Sequence, residues 1–290
     1  MINKYTAIWL SHSSVSDYLK CPRLYYLHNL WKNKHGKKVN IVNPYMSLGS
    51  AVHQVIEPLA NIKTEERFAT DLLVKFQEIW KKYSGLAGGF ESESQEKDFK
   101  ERGIKMIENV IDNKGPIAKK TVKFYTGDFI PNIYLSEKEN IILCGLVDWV
   151  EYLESTDSLK VIDFKTGKND ESEDSFQLPI YKILVDNLQN KRKVTNAAYW
   201  YLDRDKNPKD VEIFEEDAEE VRNKILEIGI EIKKRKPTLD FPCKYKKEGM
   251  EKCKFCDDFD AIYNSEKEDD KNVIYLGTGE YKQDLYFIKK

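Results

Sequence analysis

Two apolar, β-branched runs joined by a four-residue polar turn constrain this chain more than any other stretch. Residues 140–152 (NIILCGLVDWVEY) and 159–165 (LKVIDFK) flank Glu154-Ser155-Thr156-Asp157, a composition suited to a hairpin turn. A turn centred between Ser155 and Thr156 gives antiparallel partners whose numbers sum to 311, so Asp148 stands opposite Asp163 and Leu146 opposite Lys165. Side chains alternate faces along a strand, which puts Asp163 and Lys165 on one face with Asp148 beside them. Directly opposed side chains lie about 4.5–5.5 Å apart at Cβ, where like charges repel. Two aspartates facing each other in an apolar sheet therefore call for a cation between them or a proton on one. A different turn register would part them.

Carboxylates are hard oxygen donors that suit Mg²⁺ or Mn²⁺, ions that keep several waters and bind phosphate oxygens. Lys165, at the edge of the pair, is placed to polarise a water or to neutralise charge developing on a phosphate. These are the needs of metal-assisted phosphodiester hydrolysis. Lys168, past Thr166-Gly167, is a turn lysine within reach of phosphate.

Around the hairpin, the periodicity predicts helices over 13–32 (broken at Cys21-Pro22, with Ser13 or Ser14 as cap), 47–61, 65–83 and 95–113. The segment GLAGGFESESQE between the last two reads as a loop. From Lys119 the runs KTVKFYTGDF and NIYLS read as strands, as do VTNAAYWYLD and DVEIF beyond a helix over 176–189. An amphipathic helix over 216–235, a cysteine-bearing segment at 241–259 and a tail that forms a possible hairpin complete the chain. The order points to an α/β or α+β core with a helical insertion.

Lys and Arg total 47 against 49 Asp and Glu, a net charge of -2. Whole-molecule basicity is thus excluded as a sign of nucleic-acid binding, while a local basic groove is not. No apolar stretch approaches the ~20 residues that span a bilayer, and MINKYTAIWLSHSS lacks the features of a signal peptide. A soluble, cytoplasmic protein is expected. In a reducing compartment its five cysteines read as thiols or metal ligands. Cys243, Cys253 and Cys256 form C-x9-C-x2-C, whose C-x-x-C pair serves both zinc and iron–sulfur sites. Cys144, inside an apolar run, reads as a buried small hydrophobe. Lys233, Lys234, Arg235, Lys236, Lys244, Lys246 and Lys247 cluster near the same end, interleaved with Phe241, Tyr245 and Phe255, which could stack bases.

The pair CGLVDWV and VIDFKTGK resembles motifs II and III of the PD-(D/E)XK nuclease superfamily, in its RecB-like branch. SLGSAVHQVIE resembles the branch's first motif, QLPIY its Q-x-x-x-Y motif, and SSVSDYLKCPRLYYL the N-terminal segment of members carrying an iron–sulfur cluster. The five stretches stand in the family's order and span residues 13 to 256. The resemblance implies a restriction-endonuclease-like α/β fold, a mixed central sheet flanked by helices. It implies that His53, Asp148, Asp163 and the backbone carbonyl of Phe164 hold Mn²⁺ or Mg²⁺, with histidine favouring Mn²⁺. Lys165 would assist the attacking water, and Gln177 and Tyr181 would organise the site and the DNA. Glu57, one turn beyond His53, either orients a metal-bound water or is solvated.

Cys21, Cys243, Cys253 and Cys256 would bind a [4Fe–4S] cluster stapling the two ends, as in AddB-type helicase–nucleases and CRISPR-associated adaptation nucleases. No cysteine follows Cys256, a departure from the usual spacing that leaves structural Zn²⁺ as the alternative. The expected organisation is an N-terminal helical segment (1–45), a nuclease core (46–235) with a helical insertion at about 65–113, a cysteine segment (236–260) and the tail (261–290). The implied activity is an exonuclease on single-stranded DNA or DNA ends, in repair, recombination or CRISPR adaptation. The chain has no G-x-x-x-x-G-K-[ST] loop, so a helicase or CRISPR integrase would be a partner. The rival reading is a catalytically weak or inactive DNA-binding module with a structural role.

Overall fold

The hairpin forms in the register read from its turn: Trp149 pairs with Ile162 and Val150 with Val161. It belongs to a computed structural model that describes residues 3–122, 130–172, 174–189, 191–268, 270–279 and 282–289. Most of the expected strand KTVKFYTGDF, from residue 123 on, lies outside the described residues.

The strands are β1 (Ile8–Leu10), β2 (Val39–Ile41), β3 (Asn132–Ser136), β4 (Ile141–Cys144), β5 (Trp149–Leu153), β6 (Ser158–Lys165), β7 (Val194–Tyr201), β8 (Lys209–Val211), β9 (Val273–Thr278) and β10 (Asp284–Ile288). The helices are α1 (His12–Lys20), α2 (Pro22–Tyr25), α3 (Pro44–Ile56), α4 (Leu72–Trp80), α5 (Glu93–Asn113), α6 (Gln177–Leu188), α7 (Glu215–Arg235), α8 (Lys244–Lys247) and α9 (Asp257–Ser265). Among the described residues the strands form three sheets, ordered β1-β4-β3, β2-β10-β9 and β5-β6-β7-β8. The fold is a mixed α/β one, as expected. No helix among the described residues is long and apolar enough to cross a membrane.

The run expected as one strand over 140–152 is two. The Gly145 N–H turns to the Pro131 carbonyl at 3.1 Å, and β5 starts only at Trp149. β5 shares one core with the first half through Val150 and reaches a second through Trp149. Ile141 and Leu143 pack with Ile8 and Leu10 of β1, whereas Trp149 packs with the helices on the far face of the four-stranded sheet. Leu146, expected opposite Lys165, is instead 58% exposed. The first helix also differs at its start: Ser11 is the cap and Ser14 its reciprocal partner, a capping box that opens α1 at His12.

Parallel strands β6 and β7 are joined through α6, and β6 is buried along nearly its whole length, as a central strand covered on both faces should be. Alternation assigns its residues to two cores. Leu159 and Val161 face α6 and α7, while Ile162 and Phe164 face Trp200 and the layer made by α3, α4 and α5. Both layers thus end at one sheet edge, where β6 reaches Lys165.

The N-terminal segment and the tail meet in the small sheet, where β10 pairs with β2 in parallel and with β9 in antiparallel fashion. Asp284, fully buried, accepts from Asn33 (2.8 Å), His35 (2.6 Å) and Thr278 (2.8 Å). Burial alone would raise its pKa, but these donors and Lys37 hold the carboxyl well below the ordinary range. A carboxyl depressed in the folded state stabilises fully above its unfolded pKa of about 3.9, and the contribution fades as pH falls. Asp284→Asn is expected to lower the unfolding free energy by about 2–4 kcal/mol at pH 7, because donors then face an amide N–H₂. Denaturant melts at pH 7 and pH 3 check this: the difference between variant and parent should shrink at the lower pH.

Candidate active site

Helix α3 is capped by Asn43, whose side chain accepts from the Met46 N–H, and starts with Pro44. It buries Leu48, Val52 and Val55 against the sheet, which turns His53 toward the edge where β5 begins. There His53 Nδ1 lies 2.6 Å from Glu57 Oε1 and 3.6 Å from Asp148 Oδ2. Asp148 Oδ2 also accepts from the Phe164 N–H at 2.9 Å. Lys165 gives its carbonyl to Leu202 on the β7 side, so the Phe164 backbone faces the opposite edge, the one Asp148 occupies. Ligand atoms of His53, Glu57 and Asp148 all lie within 4.8 Å of one another.

Asp163 stands one rung beyond the Trp149–Ile162 pair, across from Asp148, but its carboxylate is not within that group. It turns to the opposite layer. Gln177, the first residue of α6, donates its amide to Asp163 Oδ1, and Tyr181 OH bridges Asp163 Oδ1 (3.1 Å) and Asp148 Oδ1 (3.3 Å). Lys165 Nζ lies 3.0 Å from Asp163 Oδ2, 2.5 Å from Gln177 Oε1 and 2.8 Å from Glu171 Oε2. Asp163 Oδ2 is buried and makes no hydrogen bond, so the lysine contact is an ion pair only.

The electrostatics are those of carboxylates and cations crowded together out of water. Burial pushes the Asp148 carboxyl up, and the like charge of Asp163 adds to it, to about 8. Burial works against a charged His53, yet Asp148 and Glu57 overcome it and lift the imidazole to about 9. Lys165 is likewise disfavoured by burial but held above its ordinary range by Asp163 and Glu171. An imidazole, carboxylates and an orphaned buried carboxylate oxygen are a donor set suited to Mn²⁺ or Mg²⁺, and such an ion would displace the proton His53 otherwise keeps.

Two neighbours carried no signal in the sequence. Glu171 sits in the polar loop after β6, without periodicity or motif. His12, on α1, lies near Lys165, Glu171 and Asp163, and burial pulls its pKa down. Both line a groove of ≈ 1290 Å³ beside the Lys165 end of the site. Asp170, Asp174, Asp217 and Glu220 make that groove chiefly acidic, so a polyanion would be repelled along it. Lys168 lies exposed in the turn, its carbonyl accepting from Arg204.

The cysteines form a second cluster. Cys21 links α1 to α2, Cys243 precedes α8 and Cys256 precedes α9. With Cys253 their Sγ atoms lie within 4.8 Å of one another, all four residues buried among Leu24, Leu27, Tyr245 and Phe255. The Lys246 N–H points at Cys243 Sγ at 3.5 Å. Cys144 is not in this group; it is half-buried rather than buried, and burial pushes its thiol up to about 11. Of the residues expected to stack bases, Phe241 is corrected, while Tyr245 and Phe255 are half-buried and line the groove. Phe241 is 3% exposed and packs on Tyr25 and Tyr26, while Tyr245 and Phe255 pack on each other against the cysteines. Of the basic residues nearby, Lys233 pairs with Glu139, Arg235 with Glu231 and Lys246 with Asp257 and Asp260.

A sequence model described as the PD-(D/E)XK nuclease superfamily matches residues 9–258. None of the curated proteins matches the chain.

Proposed function

The chain belongs to the PD-(D/E)XK nuclease superfamily, and from that premise we propose that it is a metal-dependent deoxyribonuclease of the RecB-like branch. Single-stranded DNA or DNA ends are the proposed substrate, in repair, recombination or CRISPR adaptation, with a helicase or CRISPR integrase as partner. The observation that carries the reading is the convergence of His53, Glu57 and Asp148 within one ion's reach, beside an Asp163–Lys165 pair 3.0 Å apart.

His53, Asp148, Asp163 and the Phe164 carbonyl would hold Mn²⁺ or Mg²⁺. When bound, the ion supplies an acidified water and stabilises charge on the phosphate. The remaining work falls to the chain's own groups. Glu57 fixes the imidazole through Nδ1, as carboxylates behind metal-ligating histidines do. The Phe164 N–H holds Asp148, and the Gln177 amide and Tyr181 hydroxyl hold Asp163. Lys165 brings a positive charge to the attacked phosphate, where a fixed ammonium favours the transition state over the ground state.

Cys21, Cys243, Cys253 and Cys256 are proposed to hold a [4Fe–4S] cluster, following the order of motifs. One observation favours zinc: the sulfurs sit within 4.8 Å of one another, and ligands 2.3 Å from a single tetrahedral ion are about 3.8 Å apart. A cubane, with an iron under each thiolate, needs them wider. Iron and zinc analysis of the purified protein separates the two.

Cleavage of end-labelled single strands with Mn²⁺, abolished by chelation, is the expected result. No cleavage of any DNA form with Mn²⁺ or Mg²⁺ would overturn the assignment and leave a DNA-binding module.

A further inference from the structure

Oxygens crowd Lys165. Its ammonium donates to Gln177 Oε1 at 2.5 Å and is ion-paired with Glu171 Oε2 at 2.8 Å and Asp163 Oδ2 at 3.0 Å. The face of the Tyr199 ring lies 5.0 Å away on a further side. A lysine that serves phosphodiester cleavage needs room beside it for a phosphate oxygen, and moving one of these partners makes that room. Asp163 is 2% exposed and built into β6. Gln177 is tied by its amide to both Asp163 and Tyr181.

Glu171 is differently placed. Its side chain is 28% exposed and lines the groove. The loop that carries it is anchored by its backbone: the Glu171 N–H donates to Tyr201 OH at 2.8 Å, and Arg204 pairs with Asp170 and donates to the Lys168 carbonyl at 2.8 Å. The carboxylate can therefore swing out by side-chain rotation while the loop stays where it is.

We propose that Glu171 is a positioning residue that occupies the place of the scissile phosphate on Lys165 until substrate displaces it. The inference rests on the nuclease reading above. A glutamate carboxylate and a phosphodiester each bring one negative charge and accept from an ammonium, so the exchange conserves charge around Lys165. The ammonium stays oriented in the free protein, and no reorganisation of its surroundings is needed when the phosphate arrives. Displacing Glu171 weakens binding by the worth of one partly exposed ion pair. Small free anions are thereby excluded, and a strand anchored at further points is not.

The test is Glu171→Gln, which keeps the shape and removes the charge. With Mn²⁺ and end-labelled single strands, KM is expected to fall about fivefold, with kcat within about twofold of the parent. Anisotropy of a fluorescent oligodeoxynucleotide in Ca²⁺ should show Kd falling by the same factor, and Glu171→Asp should restore much of the parent's Kd. Unchanged or raised KM and Kd in Glu171→Gln would overturn the proposal while leaving nuclease activity standing. Failure of the parent to cleave would remove the nuclease reading, and the anisotropy comparison would still judge Glu171.

Discussion

Replacing Lys165 with alanine is expected to lower kcat for DNA cleavage by at least about a thousandfold, the scale of one preorganised charge at a reacting centre. DNA affinity should change by less than about tenfold, because one partly exposed ion pair is worth little to binding. The asymmetry follows from where Lys165 sits. Its ammonium is held between β6 and α6 by Asp163 and Gln177, at the point where Asp148 and Asp163 come together. Such a group contributes most when charge develops and least when a strand merely docks. The variant leaves Asp163 and Glu171 without their cation, so some loss of stability accompanies it. Lys165→Arg separates the effects: it keeps the charge and the pairing, but its planar fork does not match the space of a compact ammonium. Most of the stability should return while cleavage stays low. Undiminished Mn²⁺-dependent cleavage by Lys165→Ala would sink the role given to this residue.

Much of the site was legible because period and turn chemistry act locally. The register of β5 on β6 follows from a polar turn of fixed length between two apolar runs, and Trp149 does pair with Ile162. The one-turn spacing of Gln177 and Tyr181 likewise brings both to Asp163. What was not legible depends on tertiary choice. Nothing local says that 140–152 splits at Gly145, since both halves are equally apolar, and the break depends on β4 pairing with β1 and β3 while β5 pairs with β6. Glu57 was balanced between a metal-bound water and solvent, and the structure gives it a third partner, His53 Nδ1 at 2.6 Å. Glu171 belongs to a loop whose polar residues read as a turn, and its meeting with Lys165 depends on Tyr201 and Arg204 pinning that loop. Phe241 failed as a base-stacking residue for the same reason: an aromatic side chain beside lysines is exposed or buried according to what packs on it, here Tyr25 and Tyr26.

Substituting Cys21 by serine is expected to abolish metal binding at the site proposed for the four cysteines and to cost on the order of 5 kcal/mol or more of stability, since metal binding by four thiolates is itself folding free energy. The argument rests on what the cluster joins. Cys21 comes from the link between α1 and α2, and its three partners come from the far end of the chain. Closing so long a loop costs chain entropy that grows slowly with length but is substantial. Two leucines and several partly buried aromatic side chains surround the cysteines and offset part of it. The β2–β10 pairing also ties the ends, over three residues, as do the Arg23–Asp260 pair and the donors around Asp284. Without the metal, α1 and α2 depend on their packing and on the Arg23–Asp260 pair, so the variant should show a lowered unfolding midpoint and early proteolysis near residue 21. Cleavage should fall as well, because α1 carries His12 to the Lys165–Glu171 pair, but by less than in Lys165→Ala. Metal analysis of the parent fixes the meaning of the result: iron with a visible absorption band, or zinc alone, each supports a metal staple. A parent that holds neither metal and melts unchanged after chelation would show that the four thiols are only packed together.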